Sequence, residues 1–99
     1  MTFYDHLEDE AVQDFEQILQ NSLAFGSEIA ERTYYRFLTH FDRIIEGRAF
    51  GHSRSDIPTR SPVAFIRVRP TQFLIVYNPR TLRVLRILDG RRDLPRILS

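Results

Sequence analysis

The chain has 99 residues, 42% hydrophobic and 12% aromatic, enough apolar material for one packed domain and too little for two. The absence of cysteine excludes a disulfide framework and a thiolate-bound metal, so nothing points to an oxidising compartment and the cytoplasm is the expected location. The net charge of +1 conceals a division: residues 1–50 carry ten Asp and Glu against four Arg, residues 51–99 ten Arg against three Asp, and every basic residue is Arg.

The acidic start MTFYDHLEDE does not resemble a secretory signal, and no run approaches the roughly 18 apolar residues of a membrane helix, so no membrane partner is expected. Phe3 and Tyr4 make residues 2–7 a candidate edge strand. From Glu8 or Asp9 a helix is predicted to about residue 23, because Val12, Phe15, Ile18 and Leu19 fall on one face and the leading carboxylates suit a helix N-terminus. Gly26-Ser27 supplies a break, with Ser27 as the expected N-cap. A second, longer helix follows to about residue 46, with Ala30, Tyr34, Phe37, Leu38, Phe41, Ile44 and Ile45 on its apolar face and Gly47 placed to end it.

Residues 48–61 change to Gly, Ser, Pro and Arg and read as an exposed loop. Three strands are then predicted over 63–69, 72–78 and 82–88, separated by turns at Arg69-Pro70-Thr71 and Asn78-Pro79-Arg80-Thr81. The run FLIVY, apolar throughout, belongs at the centre of the sheet with both faces covered, while the arginines lie on its neighbours. After the last strand come Asp89-Gly90, a charged turn at Arg91, Arg92 and Asp93, and an apolar tail of Leu94, Ile97 and Leu98 that ties back to the core. The expected fold is α+β: an antiparallel helical hairpin packed on one face of a three- to four-stranded, mainly antiparallel sheet.

No Gly-rich phosphate loop, G-x-S-x-G elbow or clustered metal ligands occur, and His6, His40 and His52 are widely separated, so neither a metal nor another cofactor is implied. Two readings stay open on the residues alone. Metal-free RNA cleavage would place Arg54, Arg67, Arg86, Arg91 and Arg92 around a phosphate and would draw on His52, Tyr77 or Asp56 for proton transfer. Against this, His52 reads foremost as a solvent-exposed loop residue and Tyr77 as a strand residue packing its ring and bonding its hydroxyl locally. A binding protein would use the same arginines as bidentate donors to carboxylates. The charge division is also what internal pairing between the two halves would produce.

The patches LEDEAVQDFEQIL, AERTYYRFLTHFDRI leading into EGRAFGHSRSDI, FLIVY, and VLRILDGRRDLPRIL together resemble the RelE/ParE superfamily of bacterial type II toxins, over nearly the whole chain. The most specific parts are Gly51-x-x-Arg54-x-Asp56 after the second helix and Gly90-Arg91-Arg92-Asp93 after the last strand. The ParE branch is the closer, since RelE-type messenger RNA interferases tend to carry a catalytic histidine or tyrosine late in the chain, and nothing after Tyr77 is either one. Asp89 stands where ParE-like chains often have histidine, and a carboxylate there opposes an RNA phosphate.

That resemblance implies a toxin that blocks DNA gyrase and is neutralised by a cognate antitoxin, whose acidic, initially disordered C-terminal segment folds around it. It places target or antitoxin contacts on Arg83, Arg86, Arg91 and Arg92, then Arg67. The alternatives within the fold are a ribosome-dependent messenger RNA endonuclease using His52, Arg54, Arg67, Tyr77 and Arg86, and an attenuated member that serves mainly in antitoxin binding and repression of the shared operon.

Overall fold

The computed structural model describes residues 3–53, 62–92 and 94–98. A single 3-10 turn, Phe3–His6, leads into helix α1 (Asp9–Leu23) and helix α2 (Ser27–Ile45). Strands β1 (Ala64–Arg67), β2 (Phe73–Tyr77) and β3 (Val84–Asp89) and a short helix α3 (Leu94–Leu98) complete the chain. The strands form a three-stranded sheet in the order β1-β2-β3, antiparallel at both junctions. The expected α+β hairpin-on-sheet architecture is thus the observed one.

The hairpin buries its stripe against one sheet face. Phe15, Phe37, Phe41 and Ile44 are fully buried there against Ile75, Tyr77, Val84 and Ile87. Phe15 packs edge-on to Phe41 with ring centroids 5.3 Å apart, and Phe37 reaches Phe73 at 6.0 Å. The reverse face carries a second cluster, Phe65, Val76 and Leu88, closed by Leu94 of α3 with Ile97 and Leu98 beside it. The apolar run of β2 is therefore covered on both sides, and the C-terminal tail is what covers the second.

The start of the chain departs from expectation. Residues 3–6 form a turn rather than a strand, because the Phe3 ring enters the hairpin core, stacked on Phe41 at 5.5 Å and edge-on to Phe15 at 6.0 Å. An extended backbone alternates its side chains, whereas the turn lets this ring tuck under α1. Only Leu7 keeps an edge role, in an isolated parallel bridge to Val84, with the Glu8 amide donating to the Val84 carbonyl at 2.8 Å.

The N-cap of α2 falls one residue early, on Gly26 rather than Ser27, and at φ +119° only glycine holds that backbone without strain. The far end behaves as expected. Gly47, at φ +71°, closes α2 with its amide on the Ile44 carbonyl at 3.0 Å and the Arg48 amide on Arg43 at 2.8 Å, the paired bonds of a Schellman motif.

In β3 a bulge sits between two pairings, Val76 opposite Arg86 but Tyr77 opposite Val84. The extra residue, Leu85, lets Val84 and Ile87 both face the hairpin although three positions separate them. It also moves Arg86 onto the other pleat, at the outer edge of the sheet.

Candidate functional site

The arginines of the basic half divide into those the fold consumes and those it presents. Arg83, just before β3, reaches toward the start of α1, its Nε donating to Glu8 Oε1 at 2.7 Å and its Nη1 to the Asp5 carbonyl at 3.1 Å. Arg86 wraps around the free edge of β3 and donates through Nε and Nη2 to both carboxylate oxygens of Asp14, at 2.8 and 3.1 Å, with Glu10 a further 3.4 Å contact. The hydrogen bond to Asp14 raises the Arg86 pKa, and that to Glu8 raises the Arg83 pKa. Part of the charge division is thus internal pairing, and both arginines are engaged within the chain.

Asp14 does a second job. Its Oδ2 also accepts the Ile87 amide at 2.9 Å, an outward-facing donor on an edge strand that would otherwise be open to another chain. The pair is mostly enclosed, with Arg86 and Asp14 side chains 27% and 18% exposed. Asp14→Ala strands a guanidinium and an amide together, so it should lower unfolding free energy by about 2–3 kcal/mol in urea titration. Glu8→Ala, at a solvent-exposed pair, should shift the midpoint barely measurably.

Arg67, Arg69, Arg91 and Arg92 gather at the opposite end of β3, while Arg80 is exposed in the β2–β3 turn. The Gly90 amide donates to the Gln72 carbonyl at 2.7 Å, stitching the turn after β3 to the β1–β2 turn. Arg67 reaches the Gln72 side chain at 3.1 Å, and Arg67 and Arg69 line an open hollow with Pro70, Thr71 and Gln72. Across the stitch stand Arg91 and Arg92, both exposed. Arg92 borders a cleft of about 200 Å³ between α1 and β3 that also includes Gln17, Asn21 and Phe73. The Arg92 side chain has no hydrogen bond or ion pair among the described residues. Arg69 is missed by the sequence reading, since only the observed turn brings it level with Arg67.

Asp89 is neutralised in place. Arg91 donates to its carboxylate from Nη2 at 2.8 Å, from Nε at 3.1 Å and from its amide at 2.9 Å. These bonds, the side-chain ones first, pull the Asp89 carboxyl down to about 2. Its stabilising contribution is present above the ordinary carboxylate range and is lost as pH falls through about 2. Carbon-detected NMR titration should find the Asp89 midpoint near 2. Arg91→Ala should raise it only part of the way back, because the backbone amide at 91 still donates to the carboxylate.

Among the described residues of a nuclease reading, Tyr77, Arg67 and Arg86 stand at different parts of the sheet. Tyr77 is 4% exposed in the hairpin core, and its hydroxyl accepts the Gly51 amide at 3.1 Å. Arg67 and Arg86 occupy the sheet end and the outer edge of β3. His52 is exposed and tied to Phe65 by two backbone bonds, at 3.0 and 2.9 Å. Arg54 and Asp56 lie outside the described residues, as does Asp93. The Gly51–Tyr77 contact is structural: a Cβ on Gly51 would lie 2.6 Å from the Tyr77 hydroxyl and 2.7 Å from Ala64 Cβ. Gly51→Ala should therefore cost about 1–3 kcal/mol in thermal unfolding, and less when combined with Tyr77→Phe, which removes the nearest atom. Among the described residues no group of three or more His, Cys, Asp or Glu could hold a metal ion, and no helix is long and apolar enough to cross a membrane.

A two-helix hairpin clamped to a three-stranded antiparallel meander defines a small α+β domain, with Arg67, Arg69, Arg91 and Arg92 near one end of its sheet. Its sequence places it further. Residues 6–94 match the model of the family described as the ParE toxin of type II toxin-antitoxin system, parDE, and the chain belongs to this family, part of the RelE/ParE superfamily. No curated protein and no solved structure matches it.

Proposed function

We propose that this toxin acts by binding, inhibiting DNA gyrase in the cytoplasm, and that a cognate antitoxin neutralises it with an acidic segment that orders on contact. The observation that carries the reading is a juxtaposition at one end of the molecule. Helix α1 runs alongside β3 in the same direction, since Glu8 meets Val84, Asp14 meets Ile87, and Asn21 shares a cleft with Arg92. The tip of the hairpin, with Leu23 56% and Phe25 80% exposed, therefore stands at the same end as Arg67, Arg69, Arg91 and Arg92.

Exposed apolar side chains beside exposed cations suit an amphipathic acidic segment, which would cover the first and pair with the second. Ordering such a segment costs conformational entropy, which the buried apolar contacts offset, while attraction between opposite charges speeds encounter. The occupied hydroxyl of Tyr77 supports binding over proton transfer as the mode of action.

Paired assays test the proposal. Purified toxin should inhibit supercoiling by gyrase and leave messenger RNA intact on translating ribosomes. Transcript cleavage that disappears in His52→Ala would overturn it in favour of the nuclease, and activity in neither assay would favour an attenuated member acting mainly with its antitoxin.

A further inference from the structure

Away from the arginine-rich sheet end, a cleft of about 420 Å³ opens between the last turns of α2 and β1. Its lining is His40 and Arg43 from α2, Arg48, Ala49 and Phe50 from the segment that follows, and Ile66 from β1. The volume lies within the roughly 300–1,000 Å³ of small-molecule sites. Two features single it out. Phe50 is 90% exposed, the most exposed large apolar residue described, and it lines the cleft with two other apolar residues, Ala49 and Ile66. Its polar groups are two guanidiniums and one imidazole, with no carboxylate in the lining.

The helix end does not cancel this positive character. A helix C-terminus repels anions through its unpaired carbonyls, but those of Asp42, Arg43 and Ile44 already accept the amides of Glu46, Arg48 and Gly47. Glu46 is ion-paired with Arg48 across an exposed contact, and a phosphate dianion competes with that carboxylate for the guanidinium. Arg43 has no side-chain hydrogen bond or ion pair among the described residues.

The geometry points to a seat for a nucleoside monophosphate group, with the base stacked on Phe50 over Ala49 and Ile66, the phosphate held by Arg43 and Arg48, and His40 hydrogen-bonding at the junction. A planar guanidinium fork matches phosphate oxygens, and two of them match a dianion better than a single carboxylate. Exposed aromatic rings take any base, because stacking needs only a flat face. The group can arrive as a free nucleotide or as one nucleotide of a single strand.

His40 also reports occupancy. Burial, and after it the neighbouring Arg43, holds its pKa below the ordinary histidine value. The groups facing it are Arg43 on its own helix, Arg48 and Phe50 from the following segment, and Ile66 from β1. A bound phosphate brings the opposite charge among them and should raise the His40 pKa.

The test is an NMR titration of the full chain with AMP. Saturable shifts at His40, Phe50 and Ile66 are expected, together with a rise in the His40 pKa. Inorganic phosphate alone and adenosine alone should each bind at least about tenfold more weakly, since each fills half of the seat. Arg43→Ala and Arg48→Ala should each weaken AMP by about tenfold. Phe50→Ala should weaken it at least about fivefold. All three side chains are exposed, so the variants should keep the amide spectrum of the fold. A short oligothymidylate serves as the other arm: tighter binding than AMP at the same residues identifies a strand as the source, and weaker binding a free nucleotide. Shifts confined to Arg67, Arg69, Arg91 and Arg92, no saturation, or an AMP affinity unchanged in Phe50→Ala would each overturn the assignment.

Discussion

Truncation after Asp93 should cost the protein at least about 3 kcal/mol of stability at room temperature. The five residues of α3 look peripheral, yet Leu94 is 2% exposed and closes the reverse-face cluster of Phe65, Val76 and Leu88. Leucine-to-alanine changes at buried sites cost about 2–5 kcal/mol. Removing the helix takes away Leu94 together with Ile97 and Leu98, and returns Phe65, Val76 and Leu88 to water. A loss of at least about 3 kcal/mol is therefore expected, against a total of roughly 5–15 kcal/mol for a domain of this size. Urea titration of the truncated and full chains gives the difference, and Leu94→Ala, which keeps the backbone, separates the packing of this one side chain from loss of the helix. A truncated chain with an unchanged midpoint would mean that the tail decorates the sheet and does not seal it.

The same helix shows what the amino-acid pattern could and could not convey. Its apolar spacing tied the tail back to the core, and the uninterrupted FLIVY run required cover on both faces of β2, so each half of that packing was legible from the other. The two amphipathic helices and the glycine closing the second were equally plain, because periodicity and a left-handed residue are local properties. The fate of the arginines was not local. Arg83, just before β3, and Arg86 within it stand at a spacing that reads as two outward side chains, but the bulge at Leu85 and the direction of α1 bring them against Glu8 and Asp14, more than seventy residues earlier in the chain. Strand register and helix direction decide such pairs, and neither is written in spacing. Phe3 misled in the opposite way: two aromatics in a short segment suit an edge strand, until the space between Phe15 and Phe41 offers one of them a better place. At the candidate site, Arg67, Arg91 and Arg92 were foreseen as outward, whereas Arg69 and the exposed hairpin tip joined them only once the turns were placed.

That redistribution concentrates the largest functional effect on the sheet end. If the proposed acidic segment is the contact, Arg67→Glu, Arg91→Glu and Arg92→Glu combined should slow association with the antitoxin by about a hundredfold at low salt, because the field that steers encounter is replaced by one that opposes it. Dissociation should change much less, since contacts at an exposed rim contribute little once the apolar tip is covered. Raising ionic strength should narrow the gap between wild type and variant, as screening shortens to about 8 Å near physiological salt. Arg91→Glu frees Asp89 from its partner and adds to the repulsion, so its single variant should exceed Arg67→Glu in effect. Arg83→Glu supplies the contrast. It removes the partner of Glu8 and should disturb the start of α1 while leaving the association rate nearly unchanged, because that guanidinium is already spoken for. Stopped-flow association at several salt concentrations measures all of these rates. A triple variant that associates as fast as wild type at low salt would show that the sheet end lies outside the interface, and would move the contact to the tip formed by Leu23 and Phe25.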